Sequence, residues 1–391
     1  MKTRKQAINK VPSRSINDTV IRELWARSAG RCQFNGCNRI LYKSPVTQEN
    51  VNISEKAHIY SFSGEGPRGR GTYEKAPLKL NNIENLMLIC HDCHKLIDKD
   101  MEGVNYSAEL LQHWKQEHEQ RIAIVTGIIP DNKTNVVFFG SNIGEQKSIF
   151  NKNDAFYSIF PNRYPLTEKP LCLSMKWKGE DKNESFWKVE EENLIKEFSD
   201  KIKPMVEENG NTHFSLFALA AMPLLIKLGS LFVDIVNINV YQFIRNPKGW
   251  KWQDFPVGYE FLVNEPDIKE NTPVLVFSLS GEIVKDRVTA VLGDNVSIWE
   301  VTVPSEFKYN DSLRHPAQLK MFIPKIRTLL EEIKASAGIN TSLHVFPAMS
   351  VSCSIEFGRL RMPKADMPWV IYDQNNKERK FIKTITIGDN Q

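Results

Sequence analysis

Four cysteines stand in two close pairs, Cys32-x4-Cys37 and Cys90-x2-Cys93. Thiolates separated by two to four residues can turn toward one ion, and two such pairs complete a closed tetrahedral Zn²⁺ shell. An ion with no open coordination position is structural, so it would staple the chain near residue 32 to the chain near residue 90. Three other chemistries fit parts of the pattern. The run Cys90-His91-Asp92-Cys93-His94 matches c-type haem attachment, but that needs export, and the basic start MKTRKQAINKVPSRS lacks a secretory apolar stretch. A redox C-x2-C expects a strand–helix setting early in a βαβ unit, and free buried cysteines explain one pair but not two. Zinc accounts for all four. Between and beside the pairs lie His58, at the end of a short strand in EKAHI, and Asn85 and His94 in NIENLMLICHDCHKLID.

A strand ending in His, a middle Asn-Leu, and a last His inside Cys-x2-Cys-His resemble the HNH endonucleases and their ββα-metal fold, over roughly residues 20–120. The resemblance implies phosphodiester hydrolysis, which needs an activated water and stabilised charge on the phosphorus and leaving oxygens. It makes His58 the general base, a role suited to an imidazole of ordinary pKa near 6.5. It makes His94 a ligand of a catalytic divalent ion, Mg²⁺ or Mn²⁺, and Asn85 the residue that holds the loop and orients His58. Many members carry Asp or His just before the catalytic His as a second ligand, whereas this chain has Ala57. His91 alternates away from the expected ligand face.

These residues need elements to hold them. A helix capped by Asn17 or Asp18, with Val20, Ile21, Leu24 and Trp25 on its apolar face, opens the segment. A second helix, from Ser107 with Leu110, Leu111, Trp114 and His118 at helical spacing, closes it. The stretch SFSGEGPRGRGTYEKAPLKL between them reads as a Gly/Pro/Arg loop, where Arg68 and Arg70 are candidates for phosphate contacts. No recognition helix for base readout is evident, which predicts low sequence specificity. Residues 1–125 hold 19 Lys/Arg against 14 Asp/Glu, and the rest of the chain 32 against 33, so the positive excess lies where a polyanion would bind. With 391 residues, 25% charged and 41% hydrophobic, the chain has the length for two or three folded domains. Its longest apolar run, Phe214 to Ile226, falls short of the roughly 20 residues that span a bilayer. A cytoplasmic protein is the expectation.

Beyond about residue 165 strands alternate with helices. CLSMKW, FSLFAL, INVYQFI, VLVFSL, SIWEVTV and SLHVF read as strands. NESFWKVEEENLIKEF, PLLIKLGSLF, IVKDRVTAVLG and PAQLKMFIPKIRTLLEEIKASAG read as helices. The fold class expected is α/β with a mostly parallel sheet. The pattern repeats once: FALAAMPLLIKLGSLF and VFPAMSVSCSIEFGRL each run from a strand through Ala-Met into a helix that reaches Gly229 or Gly358. Two α/β halves with a ligand cleft at their strands' carboxyl ends follow. His213, His315 and His344 stand alone, and Cys172 and Cys353 read as buried packing.

HFSLFALAAMPLLIKLGSLF followed by VNINVYQFIRNPKGWKWQ resembles the SAVED domain, two fused CARF-like Rossmann modules found attached to HNH nucleases in bacterial anti-phage signalling (CBASS). That resemblance implies binding of a cyclic di- or trinucleotide, ligand-driven oligomerisation, and cleavage of double-stranded DNA. A cyclic nucleotide needs flat or apolar faces for its bases and donors for its phosphates. The candidates are Lys176, Trp177, Arg245, Trp250, Lys251, Trp252, Ser280 and Gly281. Ala221, Met222, Ala348 and Met349 stand at helix starts that could favour anions. The expected organisation is an HNH domain over 1–125, a connector over 126–154 and a sensor over 155–391. Two other functions fit the sequence: a restriction-type nuclease whose second domain reads modified DNA, and a zinc-stapled DNA-binding regulator without catalysis.

Overall fold

The computed structural model describes residues 13–140, 150–175, 183–208, 212–233, 236–375 and 380–388. The chain divides into two compact units, Met1–Ile128 and Ile129–Gln391.

In the first unit, α1 (Asp18–Ser28) is capped by Asn17, whose Oδ1 accepts from Thr19 N at 2.8 Å. The strands β1 (Ser54–His58) and β2 (Leu86–Cys90) pair antiparallel, with Ser54 opposite Cys90 and His58 opposite Leu86. The chain turns directly from β2 into α2 (His91–Lys99), which completes a ββα arrangement. The closing helix α3 (Ala108–Thr126) starts at its Ser107 cap as expected. Every residue of β2 is buried, and the core gathers Leu24, Leu41, Leu86, Leu88, Ile97 and Leu111. The apolar run LMLIC is thus the floor on which the polar strand β1 lies.

The second unit opens with β3 (Lys133–Gly140), in the stretch read from sequence as a connector. It pairs parallel with β6 (Phe214–Leu219), which pairs parallel with β7 (Ile238–Tyr241). Two short strands, β4 (Tyr164–Pro165) and β5 (Leu171–Leu173), also pair parallel with β3. Along β3, Val137 and Phe139 enter one core cluster while Val136 and Phe138 enter another. Both faces are covered, which explains a continuous apolar run where one-sided burial would give alternation. Helices α4 (Lys152–Ile159), α5 (Glu184–Lys201) and α6 (Lys203–Glu208) connect these strands, and α7 (Met222–Phe232) follows β6. The small ribbon β8 (Ile244–Arg245) and β9 (Lys248–Gly249) stands apart from the sheet.

A second sheet has the order β10 (Leu262–Asn264), β12 (Val296–Thr302), β11 (Thr272–Ser278), β13 (Leu343–Ala348), β14 (Trp369–Asn375) and β15 (Lys380–Ile387). Its four middle strands are parallel and its two edges antiparallel. Helices α8 (Lys285–Leu292) and α9 (Pro316–Ala337) join β11 to β12 and β12 to β13, and α10 (Val351–Arg359) follows β13. The α/β expectation holds. The repeat is real at the level of packing: β6–α7 and β13–α10 are matched units whose helices cross at Gly229 and Gly358. A Cβ on Gly229 would stand 2.1 Å from Ile355 O, and one on Gly358 would stand 2.0 Å from Ile226 O. The two backbones touch, and each glycine is required by the other helix. Strands β14 and β15 escaped the sequence reading.

Cys353 is buried as expected, but Cys172 is exposed. It is the middle residue of the three-residue edge strand β5, whose neighbour Leu173 takes the inward position. The isolated histidines are structural: His213 is buried against Thr134 Oγ1 at 2.7 Å, His315 caps α9, and His344 Nδ1 lies 2.9 Å from Tyr372 OH.

Candidate nuclease centre and sensor cleft

The two cysteine pairs converge. Ligand atoms of Cys32, Cys37, Cys90 and Cys93 all lie within 4.8 Å of one another, with Cys37 Sγ and Cys90 Sγ at 3.9 Å. A tetrahedron with Zn–S near 2.3 Å has S···S edges of about 3.8 Å, so this donor set fits zinc in number, chemistry and spacing. Burial pushes the Cys32 thiol up to about 12, with repulsion from Cys37 and Cys90 adding to it. A divalent cation removes that conflict by making the thiolates ligands.

His58 and His94 line one cleft of about 350 Å³, together with Arg14, Lys56, Ser61, Arg68 and Asp98. His58 ends β1 and His94 lies in the first turn of α2, so the ββα turn brings the two imidazoles to one opening. Lys56 lies two residues before His58, on the same side of the pleat. Burial lowers the His58 pKa below its ordinary value, with a nearby His94 and Arg14 acting in the same direction. The ring is therefore neutral at neutral pH, the state a proton acceptor needs.

Asn85 is fully buried beneath the cleft and does not line it. Its Oδ1 accepts from Tyr60 N at 2.8 Å, and its Nδ2 donates to Tyr60 O at 3.0 Å and Leu80 O at 2.9 Å. Ile59 N donates to Asn85 O. The residue expected to hold the loop thus clamps the main chain immediately after His58. The His58 ring itself is bonded elsewhere: its Nε2 lies 2.8 Å from Asn81 Oδ1.

Ala57 lies in the core at 1% exposure and offers no ligand. On α2, however, His94 Nε2 lies 3.3 Å from Asp98 Oδ2. One imidazole and one carboxylate a helical turn apart, both open to the cleft, fit a divalent cation that completes its shell with water and phosphate. The His94–Asp98 spacing of four residues was readable as one helix face, and Lys56 and His58 as one strand face. Asn81 and Arg14 carried no such signal. Arg68 lines the cleft but directs its Nε to Ile59 O and one terminal nitrogen to Ile97 O, each at 2.7 Å, so it also ties β1 to α2. Arg70 is not among the lining residues, and its Nε faces Phe62 O at 3.4 Å. His91 faces Glu55, outside the cleft.

In the second unit, a narrow cavity lies at the carboxyl ends of β11 and β13. Its walls include Tyr259, Ser280, Tyr309, Ser312, Ser350 and Cys353. Its interior leaves about 0 Å³ for a water-sized sphere, against the roughly 300 Å³ at which ligand pockets begin, so a ligand requires its walls to part. Of the residues expected to contact a nucleotide, Ser280 is on this wall. Gly281 follows it with open space around its Cα. Trp250 is a core residue at 1% exposure, stacked on Phe150 at 6.0 Å and set edge-on to Phe217 and Phe243. That aromatic cluster covers one face of the first sheet, which is why the indole faces inward. Trp252 is half-buried against Tyr241 at 6.3 Å. Arg245 and Lys251 are exposed, and the hairpin bearing Arg245 is held by Asp311, which accepts from the N–H groups of Arg245 and Asn246. Lys176 and Trp177 lie outside the described residues.

The helix starts are not free anion sites. Ser350 Oγ accepts from Cys353 N at the head of α10, and Gln242 Oε1 accepts from Ser352 N and Oγ. At the head of α7, Pro223 lacks an N–H, and Leu224 and Leu225 donate to Ala221 O.

Residues 32–105 match the sequence model of the HNH endonucleases, and residues 194–387 match that of the SAVED family, the SMODS-associated and fused to various effectors sensor domain. A comparison with curated protein sequences found no match. Among solved structures, the chain is similar to the Acinetobacter baumannii Cap4 SAVED/CARF-domain containing receptor with the cyclic trinucleotide 2'3'3'-cAAA. The identity is 11% and the TM-score 0.43, covering 76% of this chain and 61% of that one. The Moraxella osloensis Cap4 SAVED/CARF-domain containing receptor gives 11% identity and a TM-score of 0.40, covering 80% and 69%. The chain thus spans about three fifths of the length of the first of these. Among the described residues no helix is long and apolar enough to cross a membrane. With a ββα cleft carrying His58 and His94 ahead of a doubled α/β unit, and a family match on each, the chain joins an HNH endonuclease segment, matched over 32–105, to a SAVED sensor domain, matched over 194–387.

Proposed function

We propose that this protein is a metal-dependent DNA endonuclease whose SAVED domain gates it in response to a cyclic di- or trinucleotide, in the manner of a CBASS effector acting in the cytoplasm. The observation that carries the reading is the single cleft shared by His58 and His94 within the HNH segment. Arg14 and Lys56 bind and orient a backbone phosphate there, and the neutral His58 ring takes a proton from the attacking water. The new P–O bond forms as the bond to the 3′ oxygen breaks, and that oxygen leaves as an anion protonated from solvent. His94 and Asp98 would hold the divalent ion, Mg²⁺ or Mn²⁺. When bound, that ion supplies Lewis-acid stabilisation of the phosphorane and of the leaving oxygen. The polar, phosphate-directed wall, without an inserted reading helix, supports double-stranded DNA as substrate with low sequence specificity.

The division of labour follows the limits read from sequence, 1–125 for cleavage and 155–391 for sensing, with β3 inside the linking stretch contributing to the sensor's sheet. The narrow cavity beside Ser280 supports a ligand-driven rearrangement: a cyclic nucleotide enters only if the Tyr309–Leu313 wall moves, and that movement favours assembly. Moving the population from 1:99 to 99:1 takes about 5.5 kcal/mol of differential binding. The test is plasmid digestion with Mg²⁺ or Mn²⁺ across a panel of cyclic di- and trinucleotides, read by gel and by sedimentation. One panel member should switch on cleavage and raise the sedimentation coefficient together; full cleavage by the protein alone contradicts gating.

The sulfur clamp gives a separate expectation. Binding of structural zinc is worth about 10–16 kcal/mol in small domains, as much as the whole stability of a typical fold. Metal analysis should find one zinc per chain. Cys93→Ser should leave the first unit protease-sensitive while the second remains resistant; an unchanged digestion pattern would show that the clamp is dispensable.

A further inference from the structure

We propose that Asn81 is the positioning residue that fixes the tautomer of His58, so that Nδ1 is the nitrogen that accepts the proton from water. The inference rests on the reading of His58 as the base. Asn81 makes three bonds: its Oδ1 lies 2.8 Å from His58 Nε2, and its Nδ2 lies 2.7 Å from Ser13 O and 3.1 Å from Ser15 O.

The orientation of the amide follows from its neighbours. Two main-chain carbonyl oxygens accept and cannot donate, so the group facing them must be the NH₂. Turning the amide over would set its oxygen against both carbonyls with no hydrogen between them. The oxygen therefore faces His58, and since it only accepts, the ring must present N–H at Nε2. A neutral imidazole carries one proton, which leaves Nδ1 as its lone pair. No described residue bonds Nδ1. The motif asparagine, Asn85, has all its bonds on the main chain and does not reach the ring.

The same amide does a second task. By holding the carbonyls on either side of Arg14, it fixes the segment from which Arg14 reaches the cleft wall, where its guanidinium lies 5.8 Å from the Phe62 ring centroid. One side chain thus sets the base and the phosphate-facing cation relative to each other. Water's proton and the phosphate it attacks are then aligned by a single residue outside the family motif.

The test uses the full chain labelled with ¹⁵N-histidine, with His58→Gln identifying the His58 signals by difference. At neutral pH, His58 should show a protonated Nε2 and an unprotonated Nδ1. In Asn81→Ala the ring should become a mixture of tautomers. In the nucleotide-activated plasmid assay, Asn81→Ala should lower kcat by about 10- to 100-fold, part of the 10²–10⁴ that a general base contributes. A protonated Nδ1 in the wild type overturns the proposal, as does wild-type kcat in Asn81→Ala. If Asn81→Ala does not fold, the wild-type spectrum still decides. If the wild type cuts no DNA under any condition, or His58→Ala cuts as well as wild type, the function assigned above has failed, and the tautomer result stands apart from it.

Discussion

Replacing His58 by alanine should reduce DNA cleavage by about 10²- to 10⁴-fold while leaving DNA binding and thermal stability near wild type. The ring lies at the end of β1, half open to the cleft, and its removal creates no core cavity. Its neighbours Ile59 and Tyr60 stay clamped by Asn85 through main-chain bonds that do not involve the imidazole. The pH profile carries the same information. If His58 is the base it works as the neutral ring, and burial lowers its pKa below the ordinary value of 6.5, so cleavage should rise with pH along a limb whose midpoint lies below that value. A bound divalent cation shifts the limb in the same direction. An acid limb centred well above 6.5 would show that another group is the base. If His58→Ala binds and cuts like wild type, the zinc-stapled regulator without catalysis becomes the better account.

The second large effect belongs to the crossing of α7 and α10. Gly358→Ala should destabilise the sensor unit by about 3 kcal/mol or more, the upper end of what overpacking costs, because the new methyl meets a carbonyl oxygen on a rigid helix. Alanine is the better helix former by about 1 kcal/mol, so propensity alone predicts the opposite sign. Neither Gly229 nor Gly358 has a left-handed backbone; space alone demands them. Calorimetry should show a fall of roughly 6–12 °C in the second unit's transition. Gly281→Ala, where the Cβ meets open space, is the control and should leave the transition in place. A stable Gly358→Ala protein would mean the helices can separate, and the paired-unit description would have to be abandoned.

These two cases also show what was legible in the chain. The cysteine pairs, His58, His94 and the repeated Ala-Met…Gly pattern are local signals; the structure gathers the four sulfurs within 4.8 Å, sets the two histidines on one cleft and crosses the two glycines. The β3 strand lies in the stretch read as a connector, because its membership of the sensor's sheet depends on a partner, β6, some 80 residues away. Trp250 misled because an indole beside lysine and arginine looks the same whether it faces a ligand or Phe150 and Phe217. Asn81 was silent for a related reason: its role comes from two carbonyls near residue 14 and one ring at residue 58, and no periodicity links the three. Asp98 could have been found by taking His94 one helical turn further. Side chains that act through distant main-chain atoms are the ones that sequence spacing does not reveal.

Cys93 and His94 are consecutive residues in the first turn of α2, so successive side chains point about 100° apart around a nine-residue helix. An ion held by the four sulfurs would therefore set the roll of that helix, and the roll sets where His94 and Asp98 aim. On the proposed reading, two ions of different chemistry would share one short lever. Exchanging the inner one for a larger thiophilic metal would re-aim the outer pair without touching either of its ligands, making catalytic competence answerable to an ion that never meets the substrate.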